Sequence, residues 1–408
     1  ERERFVPQRV SDLTAGLREL EWVDRDDAER FDTLSRLLSA WYHYRFHERE
    51  LAIVDAWEAA EEGADDSGEL STVLTELLDR ANYVPVTMAE LDEALVTESL
   101  IQLRLDVDLD DYEELLIHRR GSHHDTVEVP RWRGFRTEQR TITVDERVVV
   151  FTRVKLAASF GDRGTDPADR NLVPGAVSLK QFRNVPRADI EMLLPSTRVR
   201  FRTIDSLALG VPALASGVAV LVTKLLPTLG LMVLLIGAWL GLRDDRPELD
   251  QTSLVILFGG AITLGGFFFR QWSKLKSRRI EYLKTLSENL YFRTLADGPG
   301  VFHTLLSSAE QQEVIEVVLA YRFLLTEPDG LTAQQLDQRI EAWLQESCEL
   351  VVDFDVGDAV DKLRALDFVD GETTLRARPV AGALVALDRR WDDLFTPEPP
   401  DRDVGVSG

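Results

Sequence analysis

Four side chains able to hold a metal crowd one short stretch, His118, His123, His124 and Asp125, set around Arg119-Arg120-Gly121-Ser122. A metal site needs convergent neutral imidazoles with a hydrogen-bonded outer shell. Two arginines inside the cluster compete with any cation, so the stretch is expected to be a solvated loop at a strand end. A second constellation, Arg131, Trp132, Arg133 and Arg136, interleaves guanidinium groups with aromatic rings, and Arg140 follows it. Guanidinium pairs with phosphate while tryptophan favours the headgroup level of a bilayer, so these four residues fit contact with lipid headgroups. They fit equally well a strand whose long side chains cover its own sheet. No catalytic residue, metal or cofactor is assigned.

The elements that must position these groups change period along the chain. From Asp26 to about Ala60, Phe31, Leu34, Leu38, Trp41, Phe46, Leu51, Val54 and Trp57 recur at mostly helical spacing, which predicts a long amphipathic helix. Thr87-Met88-Ala89-Glu90, Ser307-Ser308-Ala309-Glu310 and Thr332-Ala333-Gln334-Gln335 have the spacing of capping boxes that open helices. Leu103, Leu105, Val107 and Leu109 alternate with polar residues, which predicts a half-buried strand, with a second over Tyr112 to His118. Thr141 to Val144 and Val148 to Val154 are rich in β-branched residues, so a hairpin is expected across Asp145-Glu146. After Gly357 to Leu366, another helix, Asp370-Gly371 signals a further hairpin, giving a winged-helix-like order. The helix that would read DNA carries Asp358 and Asp361 against Lys362 and Arg364, a poor surface for phosphate.

Between Ser206 and Phe269 two long apolar blocks flank an acidic connector. Each exceeds or meets the roughly 20 residues that cross a bilayer. Arg198, Arg200 and Arg202 precede the blocks and Arg270, Lys274, Lys276, Arg278 and Arg279 follow them, so both flanks are expected on the cytoplasmic side. Lys224 is the one charge between Leu207 and Leu242 and is expected to reach an interface. Gly237 with Gly241 and Ala261 with Gly265 place small residues one turn apart, as in packed membrane helices. The whole chain has 71 Asp and Glu against 47 Lys and Arg and a net charge of -24, and because the blocks hold almost no charge the rest is strongly acidic. Such a surface disfavours nonspecific nucleic acid binding. Few lysines and abundant Asp, Glu, Ala and Val suggest a halophilic source, a plainly acidic cytoplasmic domain being the alternative. Cys348 is the single cysteine, which rules out an intrachain disulfide.

Three segments carry a likeness: Phe5 to Leu13, Asn184-Val185-Pro186-Arg187-Ala188-Asp189-Ile190-Glu191-Met192-Leu193-Leu194-Pro195, and Ser287-Glu288-Asn289-Leu290-Tyr291-Phe292. With them the chain resembles the transmembrane protein 143-like family, also defined as domain of unknown function 3754. The resemblance implies two transmembrane helices with further portions on both sides, and no established reaction. It marks Pro186, Arg187, Asp189, Glu191, Pro195, Glu288, Asn289 and Tyr291. Pro186 suits the first turn of a helix, Asp189 and Glu191 suit its positive end, and Arg187 can dock on the sheet.

The fold expected is α+β with a membrane-embedded helical hairpin. Its parts are a helical N-terminal region over 1–100, a small α+β domain with an antiparallel sheet over 101–205 and a membrane region over 206–272. The last has a lead-in at 206–223 and helices at 225–242 and 253–272. A helical winged-helix-like domain over 273–395 and a disordered tail over 396–408 follow. The function expected is that of a non-enzymatic membrane-anchored scaffold, multi-pass in the cell membrane, with the lipid bilayer and a homo-oligomer or protein as partners and no nucleic acid. The alternatives are an oligomeric transport component with Lys224 near its path, or a lipid-headgroup-acting enzyme using His118, His123 or Asp189.

Overall fold

The computed structural model describes residues 2–22, 25–63, 68–91, 104–106, 108–131, 136–159, 172–195, 198–200 and 291–394. It also describes positions 230, 251, 255, 258, 259, 262, 266, 269, 270 and 273. The chain divides into two units, one of Glu1–Asp92, Leu109–Arg187 and Thr294–Gly408, the other of Glu93–Asp108 and Ala188–Arg293.

In the first unit, β3 (Tyr112–Arg131) and β4 (Arg136–Val154) form a long antiparallel pair. β5 (Val177–Pro186) pairs with β4, β7 (Thr294–Asp297) closes one edge on β5, and β1 (Val84–Pro85) closes the other on β3. The order is β1-β3-β4-β5-β7. Val148, Val149, Val150 and Phe151 are all buried, which explains a continuous apolar run where a sheet with one wet face would alternate. The second unit contains a short antiparallel pair, β2 (Arg104–Asp106) with β6 (Arg198–Arg200).

The helices of the first unit are α1 (Val10–Arg18), α2 (Arg25–Glu61), α3 (Glu69–Arg80), α4 (Gly300–Leu325), α5 (Ala333–Cys348), α6 (Val356–Ala365) and α7 (Val380–Leu394). α2 and α4 run through two apolar clusters. In one, Phe31, Leu34 and Leu38 meet Val314 to Leu324 together with Leu336, Leu363 and Leu387. In the other, Phe46, Ile53 and Trp57 meet Leu70, Leu74, Phe302 and Leu305 over Phe151 and Leu179 of the sheet. The region over 1–100 and the region after residue 300 thus share a core, although the sequence pattern divides them.

Several expectations change. β4 runs straight through Asp145-Glu146, and its pairing with β3 continues out to Arg131 opposite Arg136. Asp and Glu interrupt an apolar run there because Asp145 is buried in an ion pair, not because the chain reverses. His118 to Asp125 lie within β3 rather than in a loop. Ser307 to Glu310 lie inside α4, which already began at Gly300. The capping boxes at Thr87 and Thr332 do form, with Glu90 and Gln335 returning to the backbone.

The membrane-embedded hairpin is corrected. Among the described residues no helix is long and apolar enough to cross a membrane. A span needs length and apolarity together, and the two longest described helices, α2 of 37 residues and α4 of 26, carry carboxylates and arginines well inside their length. The segments 206–223, 225–242 and 253–272 on which the hairpin rested lie, save for isolated positions, outside the described residues. What the structure supports is an α+β fold with a five-stranded antiparallel sheet and helices.

β8 (Val369–Asp370) and β9 (Arg376–Ala377) form the second hairpin, and Leu331 adds a bridge to Leu375. Gly371 sits at φ +97°, and a Cβ there would come within 2.1 Å of the Thr374 carbonyl oxygen. Gly371→Ala is therefore expected to destabilise the chain by about 1–3 kcal/mol. Urea unfolding should show a lower midpoint at unchanged slope; an unchanged midpoint would contradict the strained turn.

Candidate functional site

At one level of the sheet the ladder breaks in three adjacent strands. Arg120 pairs with Arg147 and Ser122 with Asp145, while Arg147 pairs with Arg183 and Asp145 with Val185. Gly121, Glu146 and Asn184 therefore fall opposite one another outside the register. Gly121 and Asn184 both have left-handed backbone, at φ 75° and 51°. Glycine adopts it without steric cost and asparagine more readily than other side chains.

This break frees backbone donors on β3. The Glu3 carboxylate accepts from the Gly121 N–H at 2.7 Å and the Ser122 N–H at 3.0 Å. Ser122 Oγ donates to Asp145 Oδ1 at 2.6 Å, and Arg187 donates to Ser122 Oγ at 2.9 Å and to Asp145 Oδ1 at 3.1 Å. Asp145 is fully buried, and its Oδ2 accepts no hydrogen bond among the described residues. A buried carboxylate is tolerated only when paired and hydrogen-bonded, so Arg187 and Ser122 are what hold it in place. Arg120, also buried, lies 4.1 Å from the Phe5 ring centroid and 4.6 Å from that of Tyr83, and donates to the Ala81 carbonyl at 2.8 Å. Burial lowers its proton affinity, while the adjacent aromatic faces compensate for lost hydration.

A second buried junction lies between α4 and α6. Lys362 meets Glu313 at 3.1 Å, Asp358 at 2.6 Å and Glu316 more closely still. Arg80 donates to Glu313 at 3.0 Å and Asn82 to Glu316 at 2.9 Å. Burial raises the Glu316 carboxyl, and Lys362 works against that rise. Lys362 is itself raised, its own burial being outweighed by Glu316, Glu313 and Asp358. We take the lysine as charged, because three carboxylates surround one cation.

The residues singled out from sequence separate widely. Pro186 ends β5, and a 3-10 helix begins at Arg187 and runs to Leu193, carrying the buried Asp189 and Glu191. Pro195 lies in an exposed turn and Tyr291 is exposed. Glu288, Asn289, Gly237, Gly241, Ala261, Gly265, Lys224, Trp132 and Arg133 lie outside the described residues, while Arg131 and Arg136 pair with each other at the ends of β3 and β4. His118 is buried and pushed down to about 4 by that burial, so it is a neutral core residue, whereas His123 and His124 are exposed on β3. Among the described residues no group of three or more metal-binding side chains converges.

Sequence reasoning missed Glu3, Ser122, Asp145, Glu316 and the inward turn of Lys362. Two signals could have found some of them. Asp145 interrupts a β-branched run at a core position. Glu313 and Glu316 sit in a helix that is apolar on every side, between Val314, Ile315, Val317 and Val318, where a carboxylate has no route to water.

The fold and its junctions define an α+β protein with one buried ion pair in its antiparallel sheet, Asp145 with Arg187, and a second buried set around Lys362 that joins helices. Residues 145–300 match the profile of a family described as a protein of unknown function, DUF3754. The match begins at Asp145 and includes its partner Arg187. No solved structure matches the chain.

Removing Arg187 leaves Asp145 with Ser122 as its one remaining side-chain donor. Arg187→Met should cost roughly 2–3 kcal/mol, below the full value for a buried pair because Arg187 keeps some contact with water. The double variant Arg187→Met with Asp145→Asn should recover part of that loss; equal or greater loss in the double variant contradicts the pairing.

Glu191 supplies a pH test. Burial first, and the charge of Asp189 second, push it from 4.5 up to about 7. The folded state then holds a proton that the unfolded state releases, so the stability present below about pH 4.5 falls as pH rises and levels off above about 7. Glu191→Gln should reduce that fall, leaving the part that Glu316, also raised to about 7, contributes. Thermal unfolding followed from pH 4 to 8 measures it, and an unaltered profile in the variant would show that Glu191 is not the group.

Proposed function

We propose that the protein is a non-enzymatic interaction scaffold, in which the sheet unit is a rigid base and the inserted segment 188–293 contacts a partner. The carrying observation is an apolar stripe: Val255, Phe258, Ile262 and Phe269 recur at helical spacing and are between 63% and 75% exposed. Large apolar side chains exposed at such spacing are costly in water and mark a contact surface. The base supports the same assignment. Segment 188–293 leaves at the end of β5 and returns at the start of β7, and these strands are hydrogen-bonded neighbours through Lys180 with Asp297 and Gln181 with Ala296. Both stems of the segment are thereby pinned, which lowers the entropy that a partner must remove on binding. The likeness to the transmembrane protein 143-like proteins rests on Phe5 to Leu13, Asn184 to Pro195 and Ser287 to Phe292 and is a proposal of the same kind.

The partner can be a second copy of the chain or a different protein. Affinity purification of the full chain at low expression, followed by native mass measurement, is expected to return a homo-oligomer or a stoichiometric complex. Val255→Ser with Ile262→Ser should reduce that complex to the single chain. A strictly monomeric, partner-free protein overturns the scaffold.

A further inference from the structure

A cavity of about 210 Å³ opens beside the Lys362 junction. Five cations face it: Arg45 and Arg49 on α2, Arg80 at the end of α3, Lys362 on α6 and Arg390 on α7. Two are committed, since Arg80 and Lys362 both hold Glu313. The other three have no carboxylate at ion-pair distance among the described residues.

Two of these arginines, Arg45 and Arg49, are held without using up their donors. Arg45 lies over the Trp41 ring at 5.9 Å and Arg49 over the Phe46 ring at 5.7 Å. Trp41 is fixed in turn by edge-on packing on Trp391 at 5.4 Å. Stacking orients a guanidinium through its face and leaves its N–H groups, which lie in the plane, for a ligand. Arg49 has its proton affinity lowered by burial and then by the charge of Arg80, with Glu313, which also lines the cavity, working against that fall. Tyr42 adds a neutral donor, its hydroxyl kept protonated by burial and by Glu313.

In a chain of net charge -24 such a convergence is unexpected as mere surface composition. Glu313 is the one carboxylate in the lining and is held by Arg80 and Lys362, which leaves Arg45, Arg49 and Arg390 as the cations facing the cavity without an ion pair among the described residues. We propose that this cavity binds a phosphate-bearing anion through Arg45, Arg49 and Arg390. Phosphate oxygens match the two-pronged guanidinium donors, which a halide cannot do. The cavity is below the roughly 300–1,000 Å³ of pockets for drug-sized ligands, so the group held is small, a phosphate monoester or a diphosphate. That group can belong to a soluble metabolite or to a lipid headgroup.

Pyrophosphate titrated calorimetrically into the full chain at constant ionic strength tests the site. Saturable binding is expected, with sulfate weaker and chloride absent. Arg45→Gln, Arg49→Gln and Arg390→Gln should each lower affinity by about tenfold. None of the three side chains is fully buried, and a thermal melt of each variant confirms folding. Arg36→Gln, on α2 away from the cavity, should bind like the parent chain. Phosphatidylcholine vesicles with and without phosphatidic acid separate the sources. Sedimentation with the acidic vesicles, reversed by pyrophosphate, assigns a headgroup; pyrophosphate binding without sedimentation assigns a soluble ligand. Absence of saturable pyrophosphate binding, or binding that the folded Gln variants leave unchanged, overturns the proposal.

Discussion

One helix imposes the constraint that the rest of the first unit obeys. α4 is buried along most of its length, yet it carries Gln312, Glu313, Glu316 and Arg322 in that buried part. Each must find a partner inside the protein, and the partners come from far along the chain. Gln312 exchanges hydrogen bonds with the backbone of Val6 at 3.1 and 3.0 Å. Arg322 lies 3.8 Å from the Trp22 ring centroid and donates to the carbonyls of Leu17 and Glu21. Apolar packing would bring these segments together in many arrangements. Satisfying four polar groups at once leaves few, since an unpaired buried group costs about 1–3 kcal/mol.

The sheet solves a similar problem by another route. Its break at Gly121, Glu146 and Asn184 turns ladder donors toward Glu3 and positions Arg187 on Asp145. The N-terminal segment thus meets the sheet at Glu3, α4 at Val6 and, through an isolated bridge of the Glu3 backbone, Val352. Polar contacts give the assembly its register, and the two apolar clusters give it most of its stability.

The sequence discloses elements better than it discloses junctions. α2 was legible because 37 residues of amphipathic spacing outweigh local noise, and the helix start at Thr332 because a capping box is a local device. The Asp370-Gly371 turn was legible for the same reason. The continuous β4 was not, since a buried Asp145 and a hairpin turn look alike until Arg187 is known to be beside it. Its partner lies 42 residues away and Glu3 lies 118 from Gly121, distances at which no periodicity operates. The cationic cavity was hidden likewise: its arginines come from α2, α3 and α7, far apart in sequence and without a shared local motif. Apolar composition overreached in the other direction, because a long apolar block does not by itself establish a continuous spanning helix.

The pairing of α2 with α4 also sets a schedule for synthesis. Phe31, Leu34 and Leu38 pack against Val314 to Leu324, some 280 residues downstream. A ribosome adding roughly 5–20 residues per second takes on the order of 15–60 s to deliver that partner. Throughout that interval the apolar stripe of α2 faces water on a nascent chain. The α4-facing half of the core closes only once α4 has been made, and until then the α2 stripe is a surface that a chaperone can bind.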